Sequence, residues 1–159
     1  MDFWTPTERT RAAKNPHQWF TEGKALFGSG QYPEAARAFQ RAFLIAPEKP
    51  LFMSYFGLCK TMTPKGAGDG LRLCRDAVKK SPYDAEILHN LGVAYLVAGK
   101  KRQAHAAFAQ GASLDPRFAE NKEELTFMGV RKPPVFSSLP RDHWANVLAG
   151  KALSRLKLR

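Results

Sequence analysis

The chain has 159 residues, of which 44% are hydrophobic and 25% charged, enough to bury the core of one domain and too apolar for a wholly disordered chain. No run of about 18 apolar residues is present, which excludes a helical membrane span on sequence grounds. The net charge of +11 is unusual and points to acidic partners rather than to any fold.

Residues 1–15 read as an N-terminal arm. Thr5-Pro6-Thr7-Glu8 has capping-box spacing with proline at the first helical position, so a short helix from about Pro6 to Lys14 is expected, with Phe3 and Trp4 as anchors. The opening MDFWTPTERT lacks the apolar stretch of a secretory signal, and a cytoplasmic protein is expected. From Pro16 the sequence repeats itself. The segment Pro16 to Pro47 aligns without a gap with Ala85 to Pro116, matching Trp19 with Leu88, Gly23 with Gly92, and Leu26 with Tyr95. Further on, Gly30 matches Gly99, Ala35 matches Ala104, Phe39 matches Phe108, and the closing prolines coincide. The offset of 69 residues is two units of about 34 plus one inserted residue. A middle unit fits between them, with Met53, Phe56 and Gly57 in its first helix and Gly70, Cys74, Ala77 and Pro82 further on. The insertion falls in the turn TPKGAGDG.

Each unit reads as two amphipathic helices joined by a short turn, giving repeats at 16–49, 50–84 and 85–117. Asn15 and Pro16 form an N-cap and first-turn pair, Gly99 suits a left-handed helix end, and the prolines at 47, 82 and 116 separate the repeats. Small residues, Gly23 with Ala35 and Gly92 with Ala104, would let paired helices approach. Trp19, Phe39 and Phe108 would fill the layer between neighbouring units. Cys59 and Cys74 lack metal-ligand spacing and read as buried free thiols. Residues 118–130 would form a polar cap helix, with Phe118, Leu125 and Met128 as its apolar residues. Beyond it, residues 131–159 form a basic tail, with seven Lys or Arg against one Asp, a balance of +6. Lys132-Pro133-Pro134 breaks any helix there. A last helix is expected over 142–156, capped by Asp142 and striped by Trp144, Val147 and Leu148.

The spacing resembles the tetratricopeptide-repeat (TPR) pattern, W-x2-L-G-x2-Y…A-x3-F…P. It is best kept in the third repeat by Leu91, Gly92, Tyr95, Ala104, Phe108 and Pro116. The first repeat has Glu22 where Leu is usual, and the middle one has Lys60 and Gly70 in place of Tyr and Ala. The resemblance covers residues 16 to about 117. It implies an all-α fold: a short right-handed TPR solenoid of three helix-turn-helix repeats with a flanking N-terminal helix, a C-terminal cap helix and a basic tail. The tail segment GVRKPPVFSSLPRDHWAN is also similar to the tails of small bacterial TPR proteins, a likeness that brings no function with it.

Nothing in the sequence assembles a catalytic site. His17, His89, His105 and His143 make no i, i+4 metal pair, no HExxH occurs, and no carboxylates converge. GAGDG at 66–70 has neither a preceding strand nor a following GK[ST], so it reads as a turn rather than a phosphate loop. A protein without enzymatic activity, metal or cofactor is expected.

What the TPR resemblance implies is a binding groove lined by the first helix of each repeat. On this chain that lining would be His17, Phe20, Lys24 and Phe27; then Leu51, Ser54, Tyr55, Leu58 and Met62; then Glu86, His89, Asn90, Val93 and Val97. The set is mostly apolar and aromatic. Lys24 stands alone, and Phe20 occupies a usual clamp position, so the cationic clamp with which some TPR proteins hold a terminal carboxylate is not expected. Packing between repeats competes with binding as the role of Phe20, Tyr55 and Leu58.

The leading reading is a protein–protein interaction adaptor or chaperone-like module that binds a peptide or helix in this groove. The tail itself is one guest, in its own molecule or exchanged with a second to make a homodimer, with contacts from Arg131, Lys132, Phe136, Arg141, Trp144, Leu148, Lys151 and Arg155. Three-repeat chains of this length also resemble type III translocator chaperones, but those tend to be acidic. The alternative is a nucleic-acid or ribosome-associated factor using the basic tail, with Trp144 as a stacking residue. Peripheral membrane contact through the tail helix is a third reading.

Overall fold

Capping residues and prolines decide where the helices of this chain begin and end. The structure, a computed structural model, describes residues 14–63, 65–129, 136, 144–145 and 148–149. They contain seven α-helices: α1 (Pro16–Gly28), α2 (Tyr32–Ile45), α3 (Pro50–Thr61), α4 (Ala67–Lys80), α5 (Ala85–Val97), α6 (Lys101–Leu114) and α7 (Ala119–Gly129). No strand occurs among the described residues. At α1, the Gln18 N–H donates to Asn15 Oδ1 at 2.9 Å, and the Asn15 N–H donates to Gln18 Oε1 at 2.8 Å, a complete capping box ahead of Pro16. At α5, Asp84 Oδ1 accepts from the N–H groups of Glu86 and Ile87, each at 3.0 Å. Ala46, Ser81 and Asp115 each precede a proline and leave the helical region at ψ 71°, 78° and 96°, as the clash with a proline ring requires. Gly30 and Gly99 turn each chain between paired helices at φ +77° and +70°, where a side chain would be strained.

The chain divides into two units, residues 1–125 and 126–159. In the first, α1 packs on α2, α3 on α4 and α5 on α6. Neighbouring pairs join through α2 with α3, α4 with α5, and α3 with α5. This is a tandem array of helix pairs. Among the described residues of the second unit, 144–145 and 148–149 are helical, and Phe136, Trp144 and Leu148 are exposed. Arg131, Lys132, Arg141, Lys151 and Arg155 lie outside the described residues, as do most of the helix expected over 142–156 and all of the one expected over 6–14 except Lys14, which is not helical.

Packing inside the pairs differs from the sequence expectation. Phe39 and Phe108 are fully buried, but each lies first over the glycine of its own pair. A Cβ on Gly23 would meet the Phe39 ring at 2.6 Å, and one on Gly92 would collide with Phe108 in the same way. Phe39 reaches the next repeat as well, with Tyr55 at 5.0 Å between ring centroids. Trp19 reaches the layer between the first two repeats only at its margin. It is half-buried at the edge of the Ala42, Ala46 and Phe52 cluster, with Lys14 and Arg41 over its ring at 4.5 and 4.4 Å. An indole that keeps two cations on its face stays near water.

The middle pair solves the same problem without an aromatic. Gly57 on α3 faces Gly70 and Cys74 on α4, and a Cβ on Gly57 would lie 2.8 Å from Gly70 O and 2.9 Å from Cys74 N. The two backbones therefore touch where the other repeats insert a ring. This also corrects the reading of GAGDG as a turn. Gly66 precedes the helix, and Ala67 to Gly70 belong to the first turn of α4, since Gly70 must be helical to meet Gly57. Cys59 and Cys74 are both buried free thiols, and burial pushes the Cys59 thiol up to about 12 and Cys74 higher still.

Candidate functional site

The first helices of the three pairs, α1, α3 and α5, lie side by side and leave a cleft of about 510 Å³ whose far wall is the start of α7. It is lined by Lys24 and Phe27 of α1, Tyr55 and Leu58 of α3, Glu86, His89, Asn90 and Val93 of α5, then Phe118 and Glu120. Leu58 and Tyr55 are almost wholly buried and make its floor rather than its rim. The other expected groove residues go elsewhere. His17, Phe20 and Leu51 line a second, smaller hollow of about 320 Å³ beside Lys49, Phe52 and Asp84. There the Lys49 Nζ stands 3.2 Å from His17 Nε2. Phe20 packs against the rings of Phe52, Tyr55 and Phe39. Ser54 is fully buried and meets no cleft, Met62 packs against the Leu58 cluster, and Val97 is exposed beyond the cleft's end.

Buried polar groups fix the cleft's frame. Asn90 Nδ2 donates to Ser54 Oγ at 2.7 Å, pinning α5 to α3 inside the core. Asn121 of α7 is also fully buried, and its Nδ2 donates to the carbonyl of Ala85 at 3.1 Å. Its packing partner is Gly111, where any Cβ would strike the amide. Nearer the surface, Tyr55 donates its hydroxyl to Glu86 Oε1, and Lys24 Nζ reaches the same oxygen at 3.3 Å. One carboxylate oxygen thus links all three repeats. Burial and the adjacent Glu86 raise the Tyr55 hydroxyl well above its ordinary pKa, so it acts as a donor only.

His89 stands between Phe108 and Phe118, each 5.6 Å away between ring centroids. Burial lowers its pKa below the ordinary 6.5, partly offset by Glu124, Asn121, Glu120 and Glu86. The ring is therefore neutral near pH 7. Its Nδ1 and the Asn121 Oδ1 are sealed from solvent without a hydrogen bond of good geometry. Among the described residues, no side chain lining the cleft with His89 provides a nucleophile for it to activate, and no three His, Cys, Asp or Glu cluster as a metal would need. The arrangement can hold an apolar or amphipathic chain segment, with polar groups to orient it. Sequence reasoning missed Phe118 and Glu120, because they lie outside the repeat register, at the entry to α7.

The tetratricopeptide-repeat family profile matches residues 16–49. Solved structures add the rest of the array. The first TPR of Spaghetti (RPAP3), bound to an HSP90 peptide of sequence SRMEEVD, has a TM-score of 0.58 at 18% identity, over 72% of this chain and 90% of that one. One tetratricopeptide repeat is thus matched directly, and the array has the fold of TPR domains. YrrB, described as a TPR protein with an unusual peptide-binding site, has a TM-score of 0.57 at 17% identity, over 72% of this chain and 59% of its own. The Yersinia enterocolitica type III secretion translocator chaperone SycD has 0.57 at 15%, over 75% of this chain and 89% of its own. At these identities the likeness is one of fold. None of the curated proteins matches the chain. Among the described residues, no helix is long and apolar enough to cross a membrane.

Proposed function

We propose that this protein is a protein-interaction module that takes a segment of another polypeptide into the cleft between α1, α3, α5 and the start of α7. The observation that carries the reading is the cleft itself. Phe27, Val93 and Phe118 give it apolar walls that no described helix covers, while Lys24, Glu86, His89 and Asn90 supply polar groups at fixed positions. The peptide complexes formed by proteins of this fold, RPAP3 among them, support it. Work done by such a site is binding, with aromatic residues as the main contributors.

The test is selection of random dodecapeptides on the immobilised full chain. Enriched peptides are expected to lose binding to Phe118→Ala and to keep it on His105→Glu, a change on the exposed side of α6. Selection of nothing above background, or peptides indifferent to Phe118, would end this reading. The basic tail belongs to the proposal as a guest exchanged between two molecules. Removing residues 131–159 and measuring both mass in solution and peptide affinity tests that part. If neither changes, the tail is not a guest.

A further inference from the structure

We infer that the cleft selects a guest by a Lys or Arg side chain flanked by apolar residues, the cation seated against Glu86 and Glu120; this rests on the peptide-binding reading above. The chain carries a net charge of +11, yet among the described residues its cleft is lined by two carboxylates and a single cation, Lys24. Lys24 and the Tyr55 hydroxyl both engage the same oxygen of Glu86, and no other hydrogen bond reaches that carboxylate among the described residues. Glu120 at the start of α7, and Glu124 one turn further along it, have no ion-pair partner among the described residues.

Two groups inside the cleft feel this field from different sides. The Tyr55 hydroxyl is held protonated in part by Glu86, Glu120 and Asp84, and the proton affinity of His89 is raised by Glu124, Glu120 and Glu86 against its burial. An acidic guest would meet that field as repulsion and would find only Lys24, already paired. A basic side chain fits in both its parts: the alkyl stem lies along Val93 and Phe118, and the head meets carboxylates beside an aromatic face. Charge complementarity of this kind decides which partners are rejected as much as which are held.

The experiment uses dodecapeptides selected on the full chain. Enrichment of Lys or Arg at one fixed position beside an apolar residue is expected. Replacing that residue by Gln should weaken binding about fivefold, the scale of one partly exposed ion pair. On Glu120→Gln the same replacement should cost little, whereas Lys24→Gln should tighten basic peptides by freeing Glu86. Because Glu120 is exposed, its variant folds whether or not the inference holds. Enrichment of acidic or neutral peptides, or an equal Gln penalty on wild type and Glu120→Gln, would overturn this inference and leave the peptide-binding reading standing. If no peptide binds at all, both fall.

Discussion

Gly57 tests the packing of the middle repeat by a single methyl group. An alanine there would place its Cβ 2.8 Å from Gly70 O, 2.9 Å from Cys74 N and 2.9 Å from Cys74 Sγ, where an unstrained contact needs at least about 3.4 Å. Two of the three are backbone atoms of α4, so no rotamer change relieves them, and the helices must part by roughly 0.5 Å. Overpacking of this kind costs about 1–3 kcal/mol. Alanine's better helix propensity returns up to about 1 kcal/mol. The rigid neighbours put the cost near the top of its range, so a net loss of about 1–2 kcal/mol is expected. At about 3–6 °C per kcal/mol for a domain of this size, the melting temperature should drop by roughly 3–12 °C. Gly68, on the facing helix α4, is the control. Nothing lies within 4 Å of its missing Cβ, and Gly68→Ala should leave stability unchanged or raise it by up to about 1 kcal/mol. Thermal and urea unfolding followed by circular dichroism at 222 nm reads both variants. A Gly57→Ala protein as stable as wild type would refute the backbone-to-backbone contact.

Three further outcomes follow from buried groups. Asn90→Ala strands Ser54 Oγ in the core and should cost about 1–3 kcal/mol, with Ser54→Ala plus Asn90→Ala costing less than the sum of the two; additive losses in a double-mutant cycle would deny the hydrogen bond. Because burial depresses the His89 pKa, its contribution to stability is full above the unfolded value of about 6.5 and is lost as pH falls from there toward the lower folded value. Unfolding free energy should thus decline below pH 6.5 in the wild type and less steeply in His89→Gln, and parallel curves would contradict this. Cys59 and Cys74 should resist a thiol reagent in the native protein and both react in denaturant, whereas rapid native labelling would show that the core around them opens easily.

The helix pairs were legible in the sequence because glycine, alanine and proline recur where backbones approach or chains turn, and such demands are local. The identity of what meets each glycine was not. Phe39 over Gly23 keeps the pattern, but the middle repeat trades the ring for Gly70 and Cys74, a substitution visible only as a departure from the spacing. Ser54 and Asn90 read as groove residues because polar side chains on a first helix ordinarily face water. Ser54 points wholly inward, and Asn90 keeps only an edge on the cleft, because they satisfy each other across 36 positions, a pairing with no local trace. The cleft's outer wall escaped notice for a similar reason, since Phe118 and Glu120 come from beyond the repeats and reach the site only because Asn121 docks α7 against Ala85.

Isotope-labelled full chain titrated with a selected peptide, and followed by amide chemical shifts, tests the binding role of the cleft most directly. Saturable changes should concentrate on α1, α3, α5 and the first turn of α7, around Lys24, Glu86, Val93 and Phe118. Changes confined to α2, α4 and α6, or none at peptide concentrations well above the affinity found in selection, would contradict it.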